Sequence, residues 1–174
     1  MAKDKAQVYL WTGLGWGKTT SALGTALRCV GHGLKVVVIQ FMKGRGDELG
    51  EYRIRGMLGE NYEIHQFGRK DWVDLENPGE EDKQLAREGL EFARQSAEKK
   101  PFLLFLDEIN LAVAAKLLDE EEVISFLDSV PPEVHVYMTG RYAPPKLILR
   151  ADYVNEVNMV KGPKRLEGEK GIDY

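Results

Sequence analysis

Glycines at 13, 15 and 17, followed by Lys18, Thr19 and Thr20, are the residues of this 174-residue chain best suited to chemistry, and that chemistry is the gripping of phosphate. Alternating glycines let a backbone turn tightly and aim its N–H groups at phosphate oxygens, and the start of a helix adds its positive end. In this reading the amides of Gly13, Leu14, Gly15, Trp16, Gly17, Lys18, Thr19 and Thr20 line the loop. Lys18 supplies a cation, and the Thr19 hydroxyl is placed to ligate Mg²⁺. The general pattern G-x-x-x-x-G-K-[ST] requires glycine at 12, where this chain has Thr12, with Gly13 one place later.

A second group of residues stands at the ends of apolar runs. Phe102–Leu106 delivers Asp107 and Glu108, the Walker B arrangement in which a strand presents carboxylate to the Mg²⁺ held by the loop threonine. Asp107 and Glu108 are therefore candidate metal ligands with Thr19. Lys43 follows the run Lys35–Met42, and Arg141 follows Val134–Met138. Both cations fall at the carboxyl edge of a predicted strand, where open α/β sheets bind ligands. Lys18 and Glu108 are the candidate catalytic residues, joined by Trp72, an indole among the charged neighbours Arg69, Lys70, Asp71 and Asp74.

These positions require strands that end together at one edge. Strands are expected over 8–11, 35–42, 62–66, 102–106, 134–138 and 153–157. A helix starting near Thr20 should bury Leu23, Ala26, Leu27 and Val30 and stop at Gly31–Gly33. A long surface helix from Glu80 to about Lys99 carries Leu85, Gly89, Phe92 and Ala93. Asp119 opens a further helix through Val123, Ile124 and Leu127, so that its neighbouring acids are helix-start residues and not ligands. Pro144–Pro145 begins a short helix to Leu149. The glycine-rich stretch 43–60 reads as loop, and the chain from 160 to 174 as a polar tail. The alternation of strand and helix predicts an α/β fold, a P-loop NTPase (RecA-like) three-layer sandwich with a mostly parallel sheet of five or six strands, in one domain spanning 1–174.

Twenty-four basic against 28 acidic residues, with no long basic run, make nucleic acid a poor partner. The single cysteine, Cys29, is read as a buried filler on the first helix. His32, His65 and His135 are not spaced as a metal cluster. The start lacks a secretory apolar segment and no run reaches the length of a membrane span, which gives a cytoplasmic expectation.

Several stretches together resemble the P-loop-type ATP:corrinoid adenosyltransferases. They are Thr12–Thr20, Gly31–Lys35, Val38–Gly44, Leu106–Asn110, Thr139–Pro144, Ala151–Asp152 and Gly171–Tyr174. The shortened phosphate loop is itself a family feature. The resemblance implies transfer of the 5′-deoxyadenosyl group of ATP to the Co(I) centre of a reduced corrinoid, with release of tripolyphosphate. It implies Mg²⁺ held by Thr19, Glu108 and Asp107, with Lys43 and Arg141 as further cations, and Trp72 in the corrinoid-facing segment. It also implies a homodimer, and an electron donor protein that reduces the corrinoid. This chain departs from many relatives at Leu14 and Trp16, where they have Asn and Lys, at Arg69–Trp72, and in the tail at 160–165. A binding protein of the same fold without transfer activity, and a generic P-loop ATPase, are the alternative classes.

Overall fold

A computed structural model describes residues 4–163 and 168–174. Six strands, β1 (Gln7–Thr12), β2 (Val36–Phe41), β3 (Tyr62–Phe67), β4 (Leu103–Asp107), β5 (His135–Thr139) and β6 (Tyr153–Glu156), form one sheet in the order β3-β2-β4-β5-β1-β6. Every pairing is parallel. All six strands therefore end at the same edge, as the positions of Lys18, Lys43, Asp107 and Arg141 require. β1 and β4 are separated by β5, so the loop after β1 and the acids after β4 face each other across a gap one strand wide.

Alternation along the strands divides the core. Val8, Leu10, Val37, Ile39, Phe41, Leu104, Leu106, Val136 and Met138 point to one face. There α4 (Glu80–Glu98), α5 (Ile109–Ala114), α6 (Glu120–Ser129) and α7 (Pro145–Arg150) cover them. Val36, Val38, Ile64, Leu103 and Phe105 point to the other, under α1 (Lys18–Gly31). The result is a three-layer sandwich whose central strands are apolar on both sides, the expected composition of a covered parallel sheet. Close approach is exacting at Gly89 of α4, where a Cβ would lie 2.9 Å from the Phe41 ring.

α1 begins two residues earlier than the periodicity suggests, and its buried stripe is rotated. Ala22, Ala26 and Cys29 face the sheet, Leu23 and Val30 flank them, and Leu27 is exposed. Small residues at the contact let the helix lie close to the strands, and the larger leucines splay to its sides. Asp119 accepts hydrogen bonds from the N–H groups of Glu121 and Glu122, as a helix cap should. The stretch 43–60 holds more than loop: two short helices, α2 (Gly50–Arg53) and α3 (Arg55–Leu58), follow one another there. α5 directly follows Glu108 and is too short to show a period in the sequence. The tail positions 160–163 and 168–174 are exposed, while Lys164 and Arg165 lie outside the described residues.

Candidate active site

The loop after β1 is shaped from behind by the end of the last strand. The Gly15 N–H donates to the Val157 carbonyl at 2.7 Å. A Cβ at Gly13, where φ is 93°, would stand 2.4 Å from that same oxygen, and one at Gly15 2.7 Å from it. Both positions must be glycine because another backbone occupies the space of a side chain. Thr12, which departs from the general loop pattern, has its own use: its hydroxyl accepts the N–H of Ala143, tying the loop to the segment that carries Arg141. Leu14 and Trp16 are exposed and apolar, so the groups they can offer a phosphate are their backbone N–H groups. Thr20 is exposed one residue beyond Thr19.

Lys18 is buried and folds over the loop, its ammonium donating to the carbonyls of Gly13 at 2.8 Å and Gly15 at 2.6 Å. Burial lowers its pKa, and the positive charge of Arg141 lowers it further, while Glu108 and Asp107 oppose this.

Asp107 is the hub. Fully buried, it accepts from the Thr19 hydroxyl at 2.8 Å and the Thr139 hydroxyl at 2.7 Å on one oxygen. On the other it accepts from Gln40 at 3.0 Å and the Lys43 ammonium at 2.6 Å. Burial alone would raise its pKa, but Lys43 and the surrounding donors hold the carboxyl below its ordinary value. Lys43 is held above its own ordinary value: burial works against its charge, and Asp107 outweighs burial.

Glu108 differs from its neighbour. Its backbone is left-handed, with φ at 64°, a conformation a bulky residue adopts only when its surroundings enforce it. The N–H of Glu108 donates to Thr139, and its Oε2 is buried without a hydrogen-bond partner. Burial, and then the charge of Asp107, raise its pKa, with Lys43, Lys18 and Arg141 opposing. An orphaned carboxylate oxygen next to Asp107, the residue that holds the Thr19 hydroxyl, fits a divalent cation of the Mg²⁺ kind, which takes few protein ligands. Among the described residues no group of three His, Cys, Asp or Glu could cage a metal alone, so phosphate oxygens and water must complete any such shell.

The structure thus brings Lys18, Thr19, Asp107, Glu108 and Lys43 together. Arg141 is exposed just after β5, close enough to influence Lys18 and Glu108 electrostatically. Trp72 lies apart in the loop after β3, 85% exposed, with the Arg45 guanidinium 4.7 Å over its ring. Arg69 is committed elsewhere, donating twice to the buried Asp82 of α4 at 2.8 and 3.0 Å.

Sequence reasoning missed Thr139, Gln40 and Asn110 as site residues. Gln40 carried a signal, as a polar residue inside an otherwise apolar strand. Asn110 donates to the carbonyls of Trp11 and Gly140, clamping the ends of β1 and β5, and only an assembled sheet reveals that role.

A glycine loop with a buried lysine, and an acid strand separated from it by one strand, define a P-loop nucleotide-binding protein of the RecA-like type. The fold is similar to that of the flagellar accessory protein FlaH from Methanocaldococcus jannaschii, with a TM-score of 0.53 over 87% of this chain and 70% of that one. At 10% identity this likeness speaks to the fold alone. The particular family is given by sequence. Residues 4–174 match the family ATP:corrinoid adenosyltransferase BtuR/CobO/CobP, and the chain belongs to it. It is 36% identical to the corrinoid adenosyltransferase of Escherichia coli K12, covering 98% of this chain and 87% of that protein. It is 33% identical to corrinoid adenosyltransferase CobA of Salmonella typhimurium (99% and 87% covered), and 31% identical to the corrinoid adenosyltransferase of Pseudomonas aeruginosa (99% and 86%).

Proposed function

We propose that the protein transfers the 5′-deoxyadenosyl group of ATP to the Co(I) centre of a reduced corrinoid. The observation that carries this reading is the family match across residues 4–174, joined to a phosphate loop whose lysine, threonine and facing carboxylates are all in place. Cobalt attacks C5′ with its electron pair, the Co–C bond forms as the C5′–O bond breaks, and tripolyphosphate leaves with the bonding electrons. No proton moves in this step, so the protein needs neither nucleophile nor base.

Its task is to hold C5′ in line and to stabilise the departing charge. Loop amides between Gly13 and Thr20 bind the triphosphate, except that of Gly15, which is turned back to the Val157 carbonyl and drops out of the expected set. Lys18 exchanges its two loop carbonyls for phosphate oxygens, and Arg141 and Lys43 add positive potential at the same edge. When bound, Mg²⁺ supplies further charge against the triphosphate, held by the Thr19 hydroxyl and Glu108, with Asp107 orienting Thr19. Trp72 offers a flat apolar surface to the corrinoid and excludes water there.

The same reading includes one catalytic domain over 1–174, a homodimer, cytoplasmic residence and an electron donor protein that delivers the corrinoid as Co(I). No helix among the described residues is long and apolar enough to cross a membrane. The deciding experiment is an anaerobic incubation with ATP, Mg²⁺ and chemically reduced cobalamin. Adenosylated corrinoid with stoichiometric tripolyphosphate is expected, whereas ADP and orthophosphate would overturn the proposal.

A further inference from the structure

A continuous chain of hydrogen bonds through two glutamines joins the nucleotide site to the loop after β2, which in turn packs against the loop bearing Trp72. Gln40 Nε2 donates to Asp107 Oδ2 at 3.0 Å, Gln66 Nε2 donates to Gln40 Oε1 at 2.8 Å, and the Gly46 N–H donates to Gln66 Oε1 at 2.7 Å. A backbone N–H can only donate and an ionised carboxylate can only accept, so the ends of this chain set the orientation of both amides. Gln40 is fully buried and also donates to Glu51 at 3.1 Å.

The far end reaches Trp72 through Arg45. Arg45, next to Gly46, stacks on the indole, and Glu48 pairs with Lys70 at 2.8 Å. Backbones of the two loops interlock, since a Cβ on Gly44 would lie 2.2 Å from the Gly68 carbonyl and one on Gly68 2.4 Å from the Lys43 nitrogen. The segments around 43–48 and 68–72 are therefore constrained to move together. Lys43, in the first of them, makes a second and direct tie to Asp107.

We propose that Gln66 is a positioning residue through which occupancy of the nucleotide site sets the arrangement of Arg45 and Trp72. A cation on the Thr19 oxygen would polarise the hydroxyl, strengthen the hydrogen bond it donates to Asp107, and place positive charge beside that carboxylate. Asp107 then rebalances its remaining donors, and two of these, Gln40 and Lys43, lead to the same loop. Coupling of this kind needs a connected physical network and a ligand that changes the contacts at one end, and both are present. The consequence for the transfer reaction, on the reading above, is that the corrinoid-facing loop is set once ATP is in place.

The test uses the full-length protein grown with 5-fluorotryptophan, which gives one ¹⁹F resonance for each of Trp11, Trp16 and Trp72, assigned by single Trp→Phe variants. With MgATP and no corrinoid, the Trp72 resonance should shift in the unsubstituted protein, and Trp16, inside the phosphate loop, should report binding. In Gln66→Leu the Trp72 shift should be lost, while the ATP affinity read at Trp16 stays within about threefold, below the smallest usual coupling factor. Gln66→Glu keeps an acceptor for Gly46 but loses the donor to Gln40. It should decouple Trp72 as Leu does, whereas a merely structural role at Gly46 would be preserved. A Trp72 resonance unmoved by MgATP, a shift that survives either substitution, or loss of ATP binding in both variants overturns the proposal. Because no corrinoid is present, the relay can fail while the transfer reaction stands, and a protein inactive in transfer can still display the relay.

Discussion

Lys18 is held by the carbonyls it would release on binding ATP, so its removal empties the loop's centre without touching either sheet core. Lys18→Ala should leave the circular dichroism spectrum unchanged and slow adenosyl transfer by at least 100-fold, about 3 kcal/mol of transition-state stabilisation; an undiminished rate would show that the loop is not the catalytic phosphate site. Glu108 is a different kind of residue, a strained carboxylate with an unpartnered oxygen. Since the reaction moves no proton, Glu108→Gln should raise the Mg²⁺ concentration needed for half-maximal activity and add no new limb to the pH–rate profile. A carboxylate titration of activity that vanished in the variant would instead point to general-base hydrolysis. Trp72 is too exposed to serve the core. Trp72→Ala should therefore keep the melting temperature and ATP affinity of the unsubstituted protein while weakening corrinoid binding and slowing transfer at limiting corrinoid.

At the scale of elements, the segment from 68 to 79 is pinned to the start of α4 by Arg69 and Asp82, and Asp82 also accepts the Gly79 N–H at 3.2 Å. The Arg69 hydrogen bonds hold the Asp82 carboxyl below its ordinary pKa, so on acidification the unfolded chain takes up this proton first. The pair's contribution is complete above the unfolded carboxylate value, about pH 4, and fades as pH falls through the lower folded value. Asp82→Asn should accordingly melt several degrees lower at pH 7, and the difference should close in strongly acidic buffer. An undiminished gap there would remove the ion pair from the explanation. The element order was legible in the sequence because strands buried on both faces are written as apolar runs, such as Leu103–Leu106. Less legible were features set by contact. The rotated face of α1 follows from alanines packing close to a sheet, and α5 is organised by Asn110 reaching two strand ends that are far apart in sequence. The carboxylates after β4 could be read from position, but the four donors around Asp107 come from four separate elements or loops, which no local pattern announces.

For the molecule as a whole, β6 is an exposed strand with a structural duty at the site. Asp152 anchors it, accepting the Val8 N–H at 2.8 Å across 144 residues of sequence, and Val157 beyond it shapes the loop at Gly13 and Gly15. Asp152→Ala should therefore weaken ATP binding as well as lower the melting temperature, although the residue touches no nucleotide; calorimetric titration with an unchanged ATP affinity would separate the strand from the loop. The sheet order extends this to the order of synthesis. β1, made first of the six described strands, has as its two neighbours the last two of the six, β5 and β6. At about 5–20 residues per second, the glycine loop spends several seconds as an unformed segment of nascent chain. Glycines that a helix would not hold must wait there for a carbonyl still being made. A ribosome-bound chain halted before β6 should carry most of its helices and no nucleotide, so ATP enters only once β6 has been made.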